Sequence, residues 1–149
     1  MIESAYAYLL GLYLGDTYIS RGCRDVFALW IACCLFPQHG PGRKHMRRIE
    51  LEQWQADIVR KYPGEFARGL FHSDGWRGVN RVRRRLPSGD RRYEYPRYLF
   101  GNESQDILRL CGETLDQLGV AWRFSRPNAI SVARREAVAR LDEFVGPKY

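Results

Sequence analysis

One pattern occurs twice in the chain, and it restricts the available folds more than any other feature. Leu9–Thr17 reads LLGLYLGDT and Ala67–Gly75 reads ARGLFHSDG. Each copy has a small residue at i and i+4 (Gly11 and Gly15; Gly69 and Ser73) and an aspartate one position later (Asp16; Asp74). Residues four apart share a helix face, and small side chains there let two helix backbones come close together. If the two helices pack through those faces, their ends bring Asp16 and Asp74 together. Two carboxylates at the end of a tight apolar seam repel each other and are costly to desolvate. A divalent cation shared between them removes that cost, and hard oxygen ligands suit Mg2+, or Mn2+ in its place.

Hydrophobic periodicity orders the rest. Tyr6, Leu9, Leu10, Tyr13 and Leu14 predict a helix over Ser4–Asp16, with Ser4 as its N-cap. The β-branched, aromatic and apolar run from Tyr18 to about Phe36 predicts one or two strands, and Pro37–His45 a loop. Leu51–Lys61 has a helical pattern, Pro63-Gly64 interrupts it, and Glu65–Asp74 is a second helix. Trp76–Leu86 and Arg91–Phe100 flank PSGD as a hairpin, with Pro96 marking an edge or bulged strand. Asn102 and Gln105 form a capping-box pattern opening a helix that Gly119 closes. Val120–Phe124 and Ala129–Arg134 flank SRPN as a second hairpin, and Glu136–Val145 is a last helix. The class is α+β, with αββαββα order from Glu65 onward. The 149 residues are enough for one domain, or for two small halves sharing one core.

The charge is +7 and unevenly spread: −1 over residues 1–42, +8 over 43–97 and 0 over 98–149. An excess confined to one third of the chain points to a surface for a polyanion. Met1-Ile2-Glu3 lacks the basic start of an export signal, and Ser4–Gly15 and Val26–Phe36 fall short of the ~20 apolar residues of a membrane span. A cytoplasmic protein with no membrane partner is expected. Cys23, Cys33, Cys34 and Cys111 are then reduced thiols, better suited to apolar burial than to a zinc site with His39 or His45, since no CxxC occurs. His72 reads as a packed or surface histidine, and Trp54, Trp122 and Tyr98 as core.

The two motifs resemble the paired motifs of the LAGLIDADG homing-endonuclease family, in its monomeric form with both copies in one chain. The resemblance implies a pseudo-two-fold arrangement in which each motif helix leads into an αββαββα half whose antiparallel sheet is a saddle on double-stranded DNA. Residues 63–149 would be the complete C-terminal half and 1–62 a shortened N-terminal one. It further implies that Asp16 and Asp74 bind Mg2+ or Mn2+ and activate water for phosphodiester hydrolysis. Arg134, near the end of the last strand, and Lys44, its counterpart in the first half, would assist catalysis.

The DNA contacts are expected mainly on the first hairpin. Arg77–Arg97 holds eight arginines against Asp90 and Glu94. With a side-chain period of two, Arg77, Arg81, Arg83 and Arg85 share one face of the first strand, and Arg91, Tyr93, Tyr95 and Arg97 one face of the second. Arginine forks on such a hairpin suit guanine edges and phosphates, with Arg43 and Lys44 adding contacts from the first half. Two functions remain open: a metal-dependent, site-specific DNA endonuclease or nickase, and a catalytically decayed DNA-binding module, regulatory or an RNA-splicing cofactor. Thr17 after Asp16 and the short first half favour the module; retention of both aspartates favours the enzyme. A monomer is expected, with homodimerisation the route by which a second copy would replace the missing sheet surface.

Overall fold

A computed structural model describes residues 2–15, 34–40, 42–87 and 89–146. Asp16, Cys23, Cys33 and nearly all of the expected Tyr18–Phe36 strand region lie outside the described residues. Within that region Cys34 and Leu35 are helical, not extended. The described elements are α1 (Ile2–Leu14), a 3-10 turn (Lys44–Met46), α2 (Gln53–Lys61), α3 (Pro63–Asp74), β1 (Gly75–Leu86), β2 (Gly89–Gly101), α4 (Gln105–Gln117), β3 (Arg123–Arg126), β4 (Ala129–Val132) and α5 (Arg135–Val145). From α3 onward the order is αββαββα. The four strands form one antiparallel sheet in the order β1-β2-β4-β3.

Helices α1 and α3 meet through the repeated small residues. A methyl group on Gly11 would lie 2.8 Å from the Leu70 nitrogen, and one on Gly69 2.8 Å from the Leu12 nitrogen and 2.9 Å from the Gly11 Cα. One turn on, a methyl group on Gly15 would overlap the Ser73 side chain. The contact is therefore backbone against backbone, and the close approach leaves no room for a Cβ at either central position. Around this pair lies one cluster of buried residues drawn from every helix and from β2 and β4, including Leu10, Leu14, Phe66, Leu70, Phe100, Leu108, Ile130 and Leu141.

Several boundaries differ from expectation for identifiable reasons. Helix α1 starts at Ile2, so Ser4 lies inside it and is no cap. Pro63 does not break the chain but begins α3, because the first helical position needs no N–H and proline's fixed φ suits it. The cap of α4 is Ser104, whose side chain accepts from the Ile107 N–H. Asn102 is committed elsewhere, donating to Asp74 and accepting from the Ser104 N–H, while Gln105 donates to the Pro127 carbonyl. Gly119 does close α4 with positive φ. Pro96 sits in β2 where only β1 is paired, since β4 joins β2 from Tyr98 onward.

The first half is held by a buried polar network. Gln55, fully buried, donates to the Tyr6 hydroxyl at 2.7 Å, and Tyr6 donates to the Leu35 carbonyl. Gln38 donates to Gln55 Oε1 and to the Glu50 carbonyl. Because Gln55 takes the inward position, Trp54 is 42% exposed and leans on Tyr6, a correction to its expected place in the core. Tyr98 is a core residue as expected, and Trp122 is half-buried. Cys111 is buried among apolar side chains, and that burial pushes its thiol pKa up. Cys34, expected buried, is exposed, while Phe36 turns inward to stack on Tyr13. No helix among the described residues is long and apolar enough to cross a membrane.

Two tests of this packing follow. Gly69→Ala should lower unfolding free energy by about 3 kcal/mol or more, because its methyl meets backbone that cannot yield. Gly101→Ala, whose methyl would meet only the Asn128 carbonyl at 3.8 Å, should stay within about 1 kcal/mol in urea titrations. The second concerns the brace between β1 and α5. Asp142 accepts a bidentate pair of bonds from Arg77 at 2.7 and 2.8 Å and a third from Tyr98. The Arg77 guanidinium holds the Asp142 carboxyl below its usual value, with Tyr98 adding to the effect. A depressed carboxylate stabilises the fold above its unfolded pKa and ceases to as pH falls through the folded one. Stability should therefore drop below about pH 4, and Asp142→Asn should be less stable at neutral pH with a flatter acid limb.

Candidate functional site

The register of the β1–β2 hairpin decides which side chains share a surface. Directly paired residues point the same way, and Arg77 pairs with Tyr98, Arg81 with Glu94 and Arg83 with Arg92. Tyr98 is buried against the helices, so Arg77, Arg81, Arg83 and Arg85 lie on the helix-side face of the sheet. Arg91, Tyr93, Tyr95 and Arg97 lie on the opposite, open face. The expected DNA-contacting residues thus divide between two surfaces.

The two faces differ in charge. On the helix side, three of the four β1 arginines already have acids: Arg77 with Asp142, Arg81 with Glu94 at 3.0 Å, and Arg83 with Asp90. Arg77 also stacks on the Tyr98 ring, and its hydrogen-bonded pairing with Asp142 raises its pKa further. The open face carries Arg84, Arg91 and Arg97 from the hairpin and, through the pairing of Arg123 with Ser131, Arg123 from β3. No acid shares that face among the described strand residues, and no ion pair engages those four arginines there. Arg97 donates to the Ser131 hydroxyl at 2.9 Å, which orients it across the sheet. Trp76, Tyr93 and Tyr95 stand between the arginines, the first two 48% and 42% exposed. Asn80 donates to the Tyr95 hydroxyl.

At one end of the open face lies a cavity of about 580 Å³ containing Asp74. Helix α3 ends on Asp74 and β1 starts at the next residue, so the carboxylate sits where helix and sheet meet. Asn102, just beyond the end of β2, donates to Asp74 Oδ2 at 2.8 Å. Gly15, Arg43, Lys44, His45, Glu103, Arg126 and Asn128 also line it. Gly15 stands close enough that a methyl on it would be 3.6 Å from Asp74 Cγ. The end of α1 that leads into Asp16 therefore meets Asp74, although Asp16 itself lies outside the described residues.

Arg43 and Lys44, expected as DNA contacts from the first half, both line this cavity. The Lys44 ammonium is directed at α1: it donates to the carbonyls of Tyr13, Leu14 and Gly15. Arg134 does not join them. It precedes α5 and lines a separate, larger cavity of about 800 Å³ with Tyr95, Trp122 and Arg123. That larger cavity holds Asp116, already bonded to the Trp122 indole, and neither aspartate of the repeated motifs. The smaller one is the better candidate for chemistry.

The donors around Asp74 are hard oxygens: its carboxylate, the Glu103 carboxylate and the carbonyls at the end of α1. They suit Mg2+ or Mn2+ in kind. No group of three metal-binding side chains occurs among the described residues. Arg84, Arg123, Asn102, Arg126 and Asn128 were not expected at the site. Parity would have found Arg84: an even-length turn sets odd residues of β1 opposite even residues of β2, so Arg84 joins Arg91 and Arg97. No profile of a known protein family matches the chain, and no curated protein is detectably similar to it.

Proposed function

We propose that the chain is a DNA-binding, metal-dependent endonuclease of the LAGLIDADG homing-endonuclease kind, with its open sheet face on double-stranded DNA and hydrolysis at the Asp74 cavity. The observation carrying this reading is an arginine face with no acid on its described strands that ends at a cavity with a hydrogen-bonded carboxylate. Arg84, Arg91, Arg97 and Arg123 supply phosphate and guanine contacts, and Trp76, Tyr93 and Tyr95 give the face apolar contact area. Asp74, the Gly15 carbonyl and Asp16 would hold Mg2+ or Mn2+, which supplies an activated water and charge stabilisation at the phosphate. Asn102 orients the Asp74 carboxylate for that task. The first half contributes Arg43 and Lys44 beside the cavity, and the complete second half carries the sheet. The monomer is cytoplasmic in this reading.

One observation favours a second reading, a decayed DNA-binding module, regulatory or assisting RNA splicing. It is the ammonium of Lys44 at the carbonyl end of α1, beside the acid a metal needs.

The face assignment is tested by two triple variants in salt titrations of DNA binding. Arg84/Arg91/Arg97→Gln should weaken binding about 100-fold at about 150 mM salt and lower the salt slope by roughly 2.7, about 0.9 for each lost phosphate contact. Arg81/Arg83/Arg85→Gln should cost less than about tenfold; an equal or larger loss would reverse the assignment. Activity is tested by Asp74→Asn on a randomised-site plasmid library with Mg2+ or Mn2+. The enzyme reading expects the wild-type chain to cut or nick and the variant to keep DNA affinity without cleavage. Tight binding with no cleavage by either, and binding unchanged or tightened by Asp74→Asn, would establish the module.

A further inference from the structure

The cavity of about 800 Å³ lies where β4 stops. Strand β4 ends at Val132, opposite Tyr98 of β2, and the chain turns at Arg134 into α5. Strand β2 extends beyond that last pair, and its Tyr95 lines the cavity with the hydroxyl held by Asn80. Small side chains keep the space open, since Ala121, Ser131 and Ala133 line it too. Trp122 lines it while leaning on α4, where a methyl on Gly112 would meet the indole ring at 2.5 Å. Phe124 supports the same ring edge-on at 5.4 Å, and the indole N–H donates to Asp116 at 2.8 Å.

The charged groups at this cavity select an anion. Arg123 and Arg134 line it, and no ion pair or side-chain hydrogen bond engages either guanidinium among the described residues. Such a pair of cations is mutually repulsive until an anion meets it. Asp116 is the one acid among the lining residues. Its Oδ1 accepts from Trp122, and Oδ2 has no hydrogen bond among the described residues, which leaves an acceptor at the wall. Ser131, buried, accepts from Arg97 at 2.9 Å and keeps its own proton to donate.

Aromatic rings stack on flat bases, and guanidinium forks bind phosphate oxygens. A carboxylate accepts from the exocyclic amino group of adenine, cytosine or guanine, which thymine lacks. We propose that this cavity is a site for a nucleoside 5′-monophosphate unit. Arg123 and Arg134 take the phosphate, Tyr95 and Trp122 the base, and Asp116 Oδ2 its amino group. The site needs neither a metal nor cleavage, and so goes beyond the endonuclease reading. Such a unit has two sources: a free nucleotide, or one turned out of a DNA strand on the open sheet face, which carries Tyr95 and Arg123. Turning a base out costs least where it is already unpaired.

The test has two arms, both on the full chain. In the first, ligand-observed NMR titrates dAMP, dTMP, deoxyadenosine and inorganic phosphate. Removing the phosphate from dAMP, or substituting Arg134→Gln, should weaken binding about tenfold or more, and dTMP should bind about fivefold more weakly. Arg134 is the residue changed because Arg123 also faces the duplex. Inorganic phosphate binding as tightly as dAMP, or dAMP binding that Arg134→Gln leaves unchanged, overturns the proposal. The wild-type chain supplies a readout that needs no variant. On adding dAMP the indole N–H signal of Trp122 should shift, and that of Trp54, packed on Tyr6, should not; a stationary Trp122 signal overturns the proposal.

The second arm compares a fully paired duplex with one carrying a single unpaired adenosine, by fluorescence anisotropy. If the DNA strand is the source, the bulged duplex should bind about tenfold more tightly, and Arg134→Gln should abolish the gain. Equal affinity for both duplexes, with dAMP still bound, makes the ligand a free nucleotide. Binding of dAMP with no affinity for either duplex overturns the DNA reading of the open face and leaves the nucleotide site standing. Neither dAMP binding nor a gain from the bulge overturns the site, whatever the paired duplex does.

Discussion

Removing the side chains where α1 crosses α3 lets the two backbones touch, and the positions of the other elements depend on that contact. With Gly11 and Gly69 opposed, the axes come close enough for Gly15 to lie on Ser73 one turn further on. The seam then delivers the end of α1 to Asp74. A larger residue at either central glycine would push the helices apart and open the cavity as well as weaken the core, so stability and site geometry share one origin. At that end of α1, Lys44 from another segment donates to the carbonyls of Tyr13, Leu14 and Gly15.

Buried polar contacts tie the segment before α3 to the helix pair. Residues 34–62 supply no strand among the described residues, yet they stay attached through Gln38, Gln55 and Tyr6, whose polar atoms satisfy one another inside the core. A buried amide network tolerates few alternative arrangements, because each misplaced partner leaves an unpaired group at a cost of about 1–3 kcal/mol. Fidelity of placement, more than buried area, is what such a network contributes. It carries the 3-10 turn and Lys44 to the cavity.

Much of the second half is legible from local pattern. The αββαββα order, both hairpins and the glycine stop of α4 follow from periodicity and turn chemistry, because neighbouring residues dominate those choices. The Asn102 cap failed because the helix starts later: the Asn102 oxygen accepts from the Ser104 N–H, and Ser104 takes the cap position. Arg134 lines a different cavity from Asp74, because proximity to a strand end along the chain does not say which end of the sheet the strand occupies. The arginine faces are an intermediate case. An even-length turn already puts the odd-numbered arginines of β1 and β2 on opposite sides; only the helices decide which side is open.

Sequence alone therefore determined the close helix pair, the acid at its end and a hairpin overloaded with arginine, since these rest on side-chain size, spacing and charge count. Tertiary structure decided which arginines are neutralised. The helices pack on the Tyr98 face, where Asp142 meets Arg77 and cross-strand acids meet Arg81 and Arg83. Arg84, Arg91, Arg97 and Arg123 are left facing outward without acids. Tertiary structure also turned Lys44 from a basic residue in a loop into a ligand of the α1 carbonyls. Both outcomes depend on groups far apart in the chain, and local spacing carries no information about which of them meet.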